Sequence, residues 1–106
     1  MVTIMLVCSA GMSTSLLVSK MQKVAKEKNI EADIFAVSAS DAEEALRKKN
    51  VDVLLLGPQV SYMKKQFETR LKDENIPVDS INMRDYGLVN GEKVLEQALK
   101  LAGKEG

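Results

Sequence analysis

Histidine and tryptophan are absent from the 106 residues, and there is a single cysteine. Without histidine the chain has no imidazole base, no imidazole metal ligand and no phosphohistidine. One cysteine alone forms neither an internal disulfide nor a zinc site made only of cysteines. We therefore expect no metal site and no cofactor. Any phosphoryl transfer must use a nucleophile other than histidine.

The chain also lacks an excess of charge and a long apolar run. Fifteen basic residues balance fifteen acidic ones, and aromatic residues make up only 4%. This balance provides neither the basic field nor the stacking surface that nucleic-acid binding uses. No run is long enough to cross a bilayer, and Met1–Val7 is too short for a signal peptide. We expect a cytoplasmic protein that binds no nucleic acid and does not insert into the membrane.

Four apolar, β-rich runs alternate with four amphipathic stretches, which predicts one α/β domain over residues 1–106. The predicted strands are Thr3–Val7, Ala32–Val37, Val51–Leu56 and Val78–Asn82, and the predicted helices are Ser13–Lys28, Asp41–Lys49, Ser61–Asp73 and Gly91–Ala102. Ser40 and Glu43 have the spacing of a capping box at the start of the second helix. The alternation favours a parallel sheet with helices on both faces, and the ligand of such a sheet binds beyond the carboxyl ends of the strands.

The segment after the first predicted strand carries the strongest chemical signal. Its small residues allow a tight backbone curl, and a curled loop that enters a helix aims several N–H groups at one point. Hydroxyl groups add further donors. The predicted phosphate-binding loop consists of Ser9, Ala10, Gly11, Met12, Ser13, Thr14 and Ser15.

Cys8 lies at the mouth of this predicted loop. Donors that bind an anion also stabilise a thiolate, and the thiolate is the nucleophilic form of cysteine. Cys8 is therefore the candidate catalytic residue, able to hold a phosphoryl group on sulfur. A buried structural cysteine beside a serine-rich helix start is the alternative interpretation.

The loop differs from two other phosphate-binding patterns. It has no lysine, so it does not match the GxxxxGK[ST] loop of nucleotide-binding proteins. It resembles the Cys-x5-Arg loop of tyrosine phosphatases, particularly the low-molecular-weight class, but Thr14 occupies the arginine position. An arginine there would stabilise the transition state for hydrolysis. Its absence favours a site that accepts and keeps a phosphoryl group.

Three segments carry a resemblance to a known family, and the similarity extends over essentially the whole chain. They are VCSAGMSTSLLVSKM at Val7–Met21, LLLGPQVSYM at Leu54–Met63 and MRDYGLVNGEKVL at Met83–Leu95. The chain resembles the enzyme IIB component of the bacterial phosphotransferase system, in its lactose/cellobiose/chitobiose family.

This resemblance implies a four-stranded parallel sheet in the order 2-1-3-4, similar to that of low-molecular-weight phosphatases. It also implies a phosphotransferase with a phosphocysteine intermediate. A phosphohistidine of enzyme IIA would donate to Cys8, and phospho-Cys8 would donate to a β-linked disaccharide bound in the membrane transporter, enzyme IIC. The protein would then be peripheral to the inner face of the membrane through enzyme IIC.

Two further residues are candidates for an accessory role. Gln59 follows the third predicted strand, and Tyr86 lies in what the sequence predicts to be a polar loop after the fourth. Either side chain would reach the phosphoryl group from the carboxyl edge of the sheet, or else serve as a turn residue or packing residue. Two other functions stay open: a cysteine phosphatase or arsenate-reductase-like enzyme, and a non-catalytic α/β binding domain.

Overall fold

A computed structural model of the protein describes residues 1–9 and 12–103. The strands are β1 (Val2–Cys8), β2 (Ala32–Ser38), β3 (Val53–Leu56) and β4 (Val78–Ser80). The helices are α1 (Met12–Glu27), α2 (Ala42–Lys48), α3 (Lys64–Leu71), α4 (Met83–Gly87) and α5 (Gly91–Leu101), with short 3-10 segments at Ala39–Asp41, Pro58–Met63 and Lys72–Glu74. Within the described ranges, no helix combines the length and the apolar character that a bilayer span requires.

The four strands form one sheet in the order β2-β1-β3-β4, and all neighbouring pairs are parallel. β1 pairs with β2 along its whole length, from Val2 opposite Ala32 to Cys8 opposite Ser38. On its other side, β1 pairs with β3. The predicted fold class and strand order are confirmed. Because the strands are parallel, their carboxyl ends lie at one edge of the sheet.

Helices cover both faces of the sheet, as predicted. Alternate residues of β1 point to opposite sides, so that Ile4 and Leu6 contribute to one buried cluster and Met5 and Val7 to the other. The first cluster is completed from α1 and α5 by Leu17, Met21, Ala25, Val94, Leu95, Ala98 and Leu99. The second is completed from α2 and α3 by Ala42, Leu46, Phe67 and Leu71. Burial on both faces explains why the two central strands, β1 and β3, are apolar runs without polar alternation.

The predicted capping box at Ser40 is wrong. The segment Ala39–Asp41 forms a 3-10 turn, and the N-cap of α2 is Asp41, which makes no side-chain capping bond. The Ser40 hydroxyl lies 3.0 Å from the Ser38 hydroxyl instead. The extra turn moves Ser40 away from the position at which a capping side chain reaches the helix amides.

Residues 83–87 form a helix, although the sequence predicts a loop there. The Asn82 side chain starts α4 by accepting hydrogen bonds from the backbone N–H groups of Arg84 and Asp85. β4 accordingly ends at Ser80 and does not reach Asn82. The third predicted helix is also shorter than expected, because both of its ends are 3-10 segments.

The carboxyl end of the edge strand β4 has a side-chain partner. The Asn82 N–H donates to Oε1 of Gln97 at 3.3 Å, and Nε2 of Gln97 donates to the Ser80 carbonyl at 2.8 Å. One carboxamide thus acts as both acceptor and donor, as a neighbouring strand would. Gln97 therefore ties α5 to the segment that leads into α4.

Gly91 sets the distance between α5 and α1. A Cβ atom at this position would lie 2.8 Å from the carbonyl carbon of Lys20 and 2.8 Å from the backbone nitrogen of Met21. These are backbone atoms of a helix, which cannot yield as a flexible side chain does. The start of α5 therefore packs directly on the α1 backbone.

Gly91→Ala is expected to lower the free energy of unfolding by about 1–3 kcal/mol, because the added methyl group forces α5 away from α1. The matched control is Gly87→Ala, since nothing lies within 4 Å of the Cβ that it adds. The control is expected to leave the free energy of unfolding unchanged or raise it by up to about 1 kcal/mol. Urea denaturation of both variants checks this, and equal stability of the two would contradict the close approach.

Candidate active site

Cys8 is the last residue of the central strand β1 and is 7% exposed. Its thiol donates a hydrogen bond to the Val37 carbonyl of β2, with 3.6 Å between sulfur and oxygen. A free cysteine this well buried fits a structural residue as well as a nucleophile. Its place at the carboxyl edge, between β1 and α1 in the chain, is where ligands of parallel sheets bind.

The predicted phosphate-binding loop is described in part. Ser9 is exposed, and Ala10 and Gly11 lie outside the described residues. The backbone of Met12, Ser13, Thr14 and Ser15 forms the first turn of α1, which contains no acidic residue. The N–H groups of a first helical turn have no partners within the helix, and they carry the positive end of its dipole. An anion at this end of α1 meets no competing carboxylate from the turn itself.

Thr14 and Tyr86 contact each other across the site. Thr14 is 2% exposed, and its Oγ1 atom lies 3.0 Å from the Tyr86 hydroxyl, at hydrogen-bonding distance. Tyr86 belongs to α4, and 72 positions separate the two residues in the chain. The structure therefore brings the predicted accessory tyrosine to the first turn of α1.

Gly57, directly after β3, lies between the two predicted accessory residues. Its N–H donates to the Val7 carbonyl at 2.8 Å. A Cβ atom on Gly57 would lie 3.3 Å from Oε1 of Gln59 and 3.8 Å from Cε1 of Tyr86. Gln59 and Tyr86 thus approach the same point, beside the last residues of β1. Their direct action on a bound group stays a prediction.

The segment after α4 has an unusual backbone conformation. Val89 has a φ of 50°, in the left-handed region that β-branched residues normally avoid. Its N–H donates to the Tyr86 carbonyl at 3.0 Å. No sequence signal indicates this turn, because such positions are usually glycine or asparagine. The Thr14–Tyr86 contact and the Val37 acceptor were likewise not predicted, since both depend on how the chain folds.

One known protein family matches nearly the whole chain. Residues 3–97 match the family model described as PTS system, Lactose/Cellobiose specific IIB subunit. The chain belongs to this family. Family members are sugar-transport components of the phosphotransferase system and act as phosphotransferases. The matched range includes Cys8, Gln59 and Tyr86, so all three lie within the IIB homology.

Curated IIB relatives align over nearly the full length of the chain. The chain is 48% identical to the PTS system galactose-specific EIIB component of Lactococcus lactis subsp. cremoris and to the PTS system cellobiose-specific EIIB component of Lactococcus lactis subsp. lactis. Each alignment covers 92% of this chain and 94% of the relative. The PTS system oligo-beta-mannoside-specific EIIB component of Bacillus subtilis is 46% identical, with 92% of this chain and 93% of the relative covered.

Two solved IIB structures share the fold. The cellobiose-specific IIB component from Borrelia burgdorferi superimposes with a TM-score of 0.77 at 44% identity, over 99% of this chain and 94% of that one. The lactose-specific IIB domain from Streptococcus pneumoniae gives a TM-score of 0.83 at 13% identity, over 94% of this chain and 96% of that one. At so low an identity, the second similarity concerns the fold alone.

Glu43, Glu44 and Glu74 of this IIB chain form ion pairs around α2 and α3. Arg70 contacts Glu43 and Glu74, each at 2.7 Å. Both carboxylates raise the pKa of Arg70 above its ordinary value, and the hydrogen bond with Glu43 is the larger cause. Glu44 pairs with Lys48 at 3.0 Å. Among the described residues, no group of three or more metal-ligating side chains is found.

Proposed function

We propose that this IIB chain carries a phosphoryl group on the sulfur of Cys8. The thiolate attacks phosphorus of a phosphohistidine on enzyme IIA, so that a P–S bond forms as the P–N bond breaks. A sugar hydroxyl bound in enzyme IIC then attacks the same phosphorus, the P–S bond breaks, and the hydroxyl proton goes to the departing sulfur, which restores the thiol. The observation that carries this proposal is the position of the sole cysteine, at the end of β1 and before α1 in the chain.

The surroundings of Cys8 support a nucleophile that is shielded from solvent between transfers. Cys8 is 7% exposed, and its thiol donates to the Val37 carbonyl. In the reaction the thiol gives its proton to the departing histidine nitrogen of enzyme IIA, and the sulfur turns toward the first turn of α1. The N–H groups there bear partial positive charge, which favours both a thiolate and a phosphoryl group.

The environment of Thr14 supports a protein that carries a phosphoryl group and does not hydrolyse it rapidly. Rapid hydrolysis of a phosphocysteine needs cationic stabilisation of the transition state and a base for the attacking water. Thr14 stands where a phosphatase would have arginine, and its buried hydroxyl meets the neutral hydroxyl of Tyr86. Losing one well-placed electrostatic donor slows a reaction by about 100- to 1,000-fold. This disfavours a cysteine phosphatase or an arsenate-reductase-like enzyme.

Enzyme IIA and enzyme IIC are the proposed partners, and a β-linked saccharide of the cellobiose, chitobiose or lactose type is the proposed substrate. Relatives named for cellobiose and oligo-beta-mannoside support this sugar class. Because phosphoryl transfer to the sugar takes place on enzyme IIC, we place the protein in the cytoplasm, at the inner face of the membrane.

A group of exposed apolar side chains supports docking at the carboxyl edge of the sheet. Leu16 of α1 is 50% exposed, and Met83 and Leu88, at the two ends of α4, are 75% and 63% exposed. α1 and α4 are the helices that the Thr14–Tyr86 contact joins. Exposed apolar side chains around a reactive group are typical of protein interaction sites. We propose that enzymes IIA and IIC bind here in turn.

Cys8→Ser is expected to fold normally and to lose phosphoryl transfer, by on the order of a thousandfold or more, because a serine hydroxyl stays protonated near neutral pH. Serine is able to retain the hydrogen bond to the Val37 carbonyl, which protects the fold. Transfer from phosphorylated enzyme IIA to sugar is measured, with circular dichroism as the check on folding. Near wild-type transfer by the folded variant would refute Cys8 as the carrier.

Leu88→Asp is expected to raise the KM for phosphorylated enzyme IIA roughly tenfold, since the new carboxylate is desolvated on docking and repels the phosphoryl group. Asn50→Asp is the matched control, because it adds the same charge at an exposed position before β3, at the opposite edge of the sheet. Steady-state kinetics with both variants checks the surface. An equal KM for the two variants would remove Leu88 from the interface.

A further inference from the structure

We propose that Tyr86 is a positioning residue for phosphoryl transfer and that it acts through Thr14. This inference rests on the proposed phosphocarrier function. The Tyr86 hydroxyl holds the Thr14 side chain, and Thr14 in turn fixes the first turn of α1, whose N–H groups face the phosphoryl group.

The burial of Thr14 makes this contact important for the turn. Its side chain is 2% exposed, and its hydroxyl lies 3.0 Å from that of Tyr86. A buried hydroxyl needs a hydrogen-bonding partner, because leaving it unpaired costs free energy. Thr14 is the third residue of α1, so a shift of its side chain also moves the backbone of the turn.

Tyr86 is well suited to position another residue because its own helix is fixed at both ends. At the start of α4, the Asn82 side chain accepts from the Arg84 and Asp85 N–H groups. At the end, the Val89 N–H donates to the Tyr86 carbonyl and the Asn90 N–H to the Asp85 carbonyl, at 3.0 and 2.8 Å.

The backbone at Val89 and the packing at Gly57 restrict the position of Tyr86. Val89 keeps its left-handed φ of 50° despite a β-branched side chain, and strain of this kind persists where surrounding contacts impose it. The Tyr86 ring also lies close to Gly57, where a Cβ atom would be 3.8 Å from the ring. The tyrosine hydroxyl thus contacts Thr14 from a helix whose position is determined by other parts of the fold.

The contact also fixes the site without adding charge. An arginine at position 14 would position the loop and stabilise the hydrolytic transition state together. Two hydroxyl groups position the loop, but they do not supply the positive charge that stabilises the hydrolytic transition state. The Thr14–Tyr86 pair therefore orders the site while it leaves phospho-Cys8 slow to react with water.

The test is a double-mutant cycle made of Tyr86→Phe, Thr14→Val and the double variant. Each single variant is expected to lower kcat for transfer from phosphorylated enzyme IIA about tenfold, as expected for the loss of one hydrogen bond, with KM unchanged. The double variant is expected to be no slower than Thr14→Val alone, because both changes remove the same hydrogen bond between Thr14 and Tyr86. Thr14→Ser, which retains the hydroxyl, should restore most of kcat.

Tyr62→Phe is the matched control, since Tyr62 is the other tyrosine of the chain and is 81% exposed. It should transfer at the wild-type rate. Hydrogen exchange supplies a readout independent of activity. Tyr86→Phe should speed exchange of the amides of residues 16–18, which donate to the carbonyls of the first turn of α1, and Tyr62→Phe should not.

Several outcomes would overturn the inference. If the two single effects multiply in the double variant, Tyr86 acts directly on the phosphoryl group and not through Thr14. If Tyr86→Phe matches Tyr62→Phe in both kcat and exchange, Tyr86 has no positioning role. Failure of the proposed function looks different, because wild-type protein would then gain no phosphoryl group by intact mass, while the exchange experiment would still report on the contact.

Discussion

The pairing of β1 on both of its sides is the constraint on which the rest of the structure depends. β1 lies between β2 and β3, and its residues are buried by helices on both faces of the sheet. A strand in this position has little freedom to shift in register, since a one-residue slip would exchange the side chains of its two faces. Cys8 is the last residue of this strand, so the position of the sulfur that we propose as the nucleophile is fixed by the sheet.

The parts of the fold that could be predicted are those set by local pattern. Apolar runs and helical spacing predict the four strands and their covering helices, because burial on both faces leaves a continuous apolar signal. The strand order followed from family resemblance and not from the pattern. α4 was missed, since it has only five residues and depends on one capping side chain, that of Asn82. Val89 gives no local warning of its left-handed conformation.

The candidate site divides in the same way. The sequence pointed to Cys8 and the serine-rich segment, because small residues between a strand and a helix are typical of anion loops. It named Gln59 and Tyr86 as residues at the correct edge of the sheet, which follows from parallel topology. The Thr14–Tyr86 contact needs two helices to meet, and no pattern of neighbours in the chain encodes it. The candidate site thus combines residues that a local sequence pattern identifies with a contact that only the folded structure shows.

The most direct measurement for the central claim is the location of the transferred phosphoryl group. The protein is incubated with radiolabelled phosphorylated enzyme IIA of the same organism, digested, and mapped by mass spectrometry, while a second sample is chased with sugar and membranes that contain enzyme IIC. The account predicts one label per chain, on the peptide that contains Cys8, and its transfer to the sugar in the chase. Label on another residue, or label that the sugar does not remove, would contradict it.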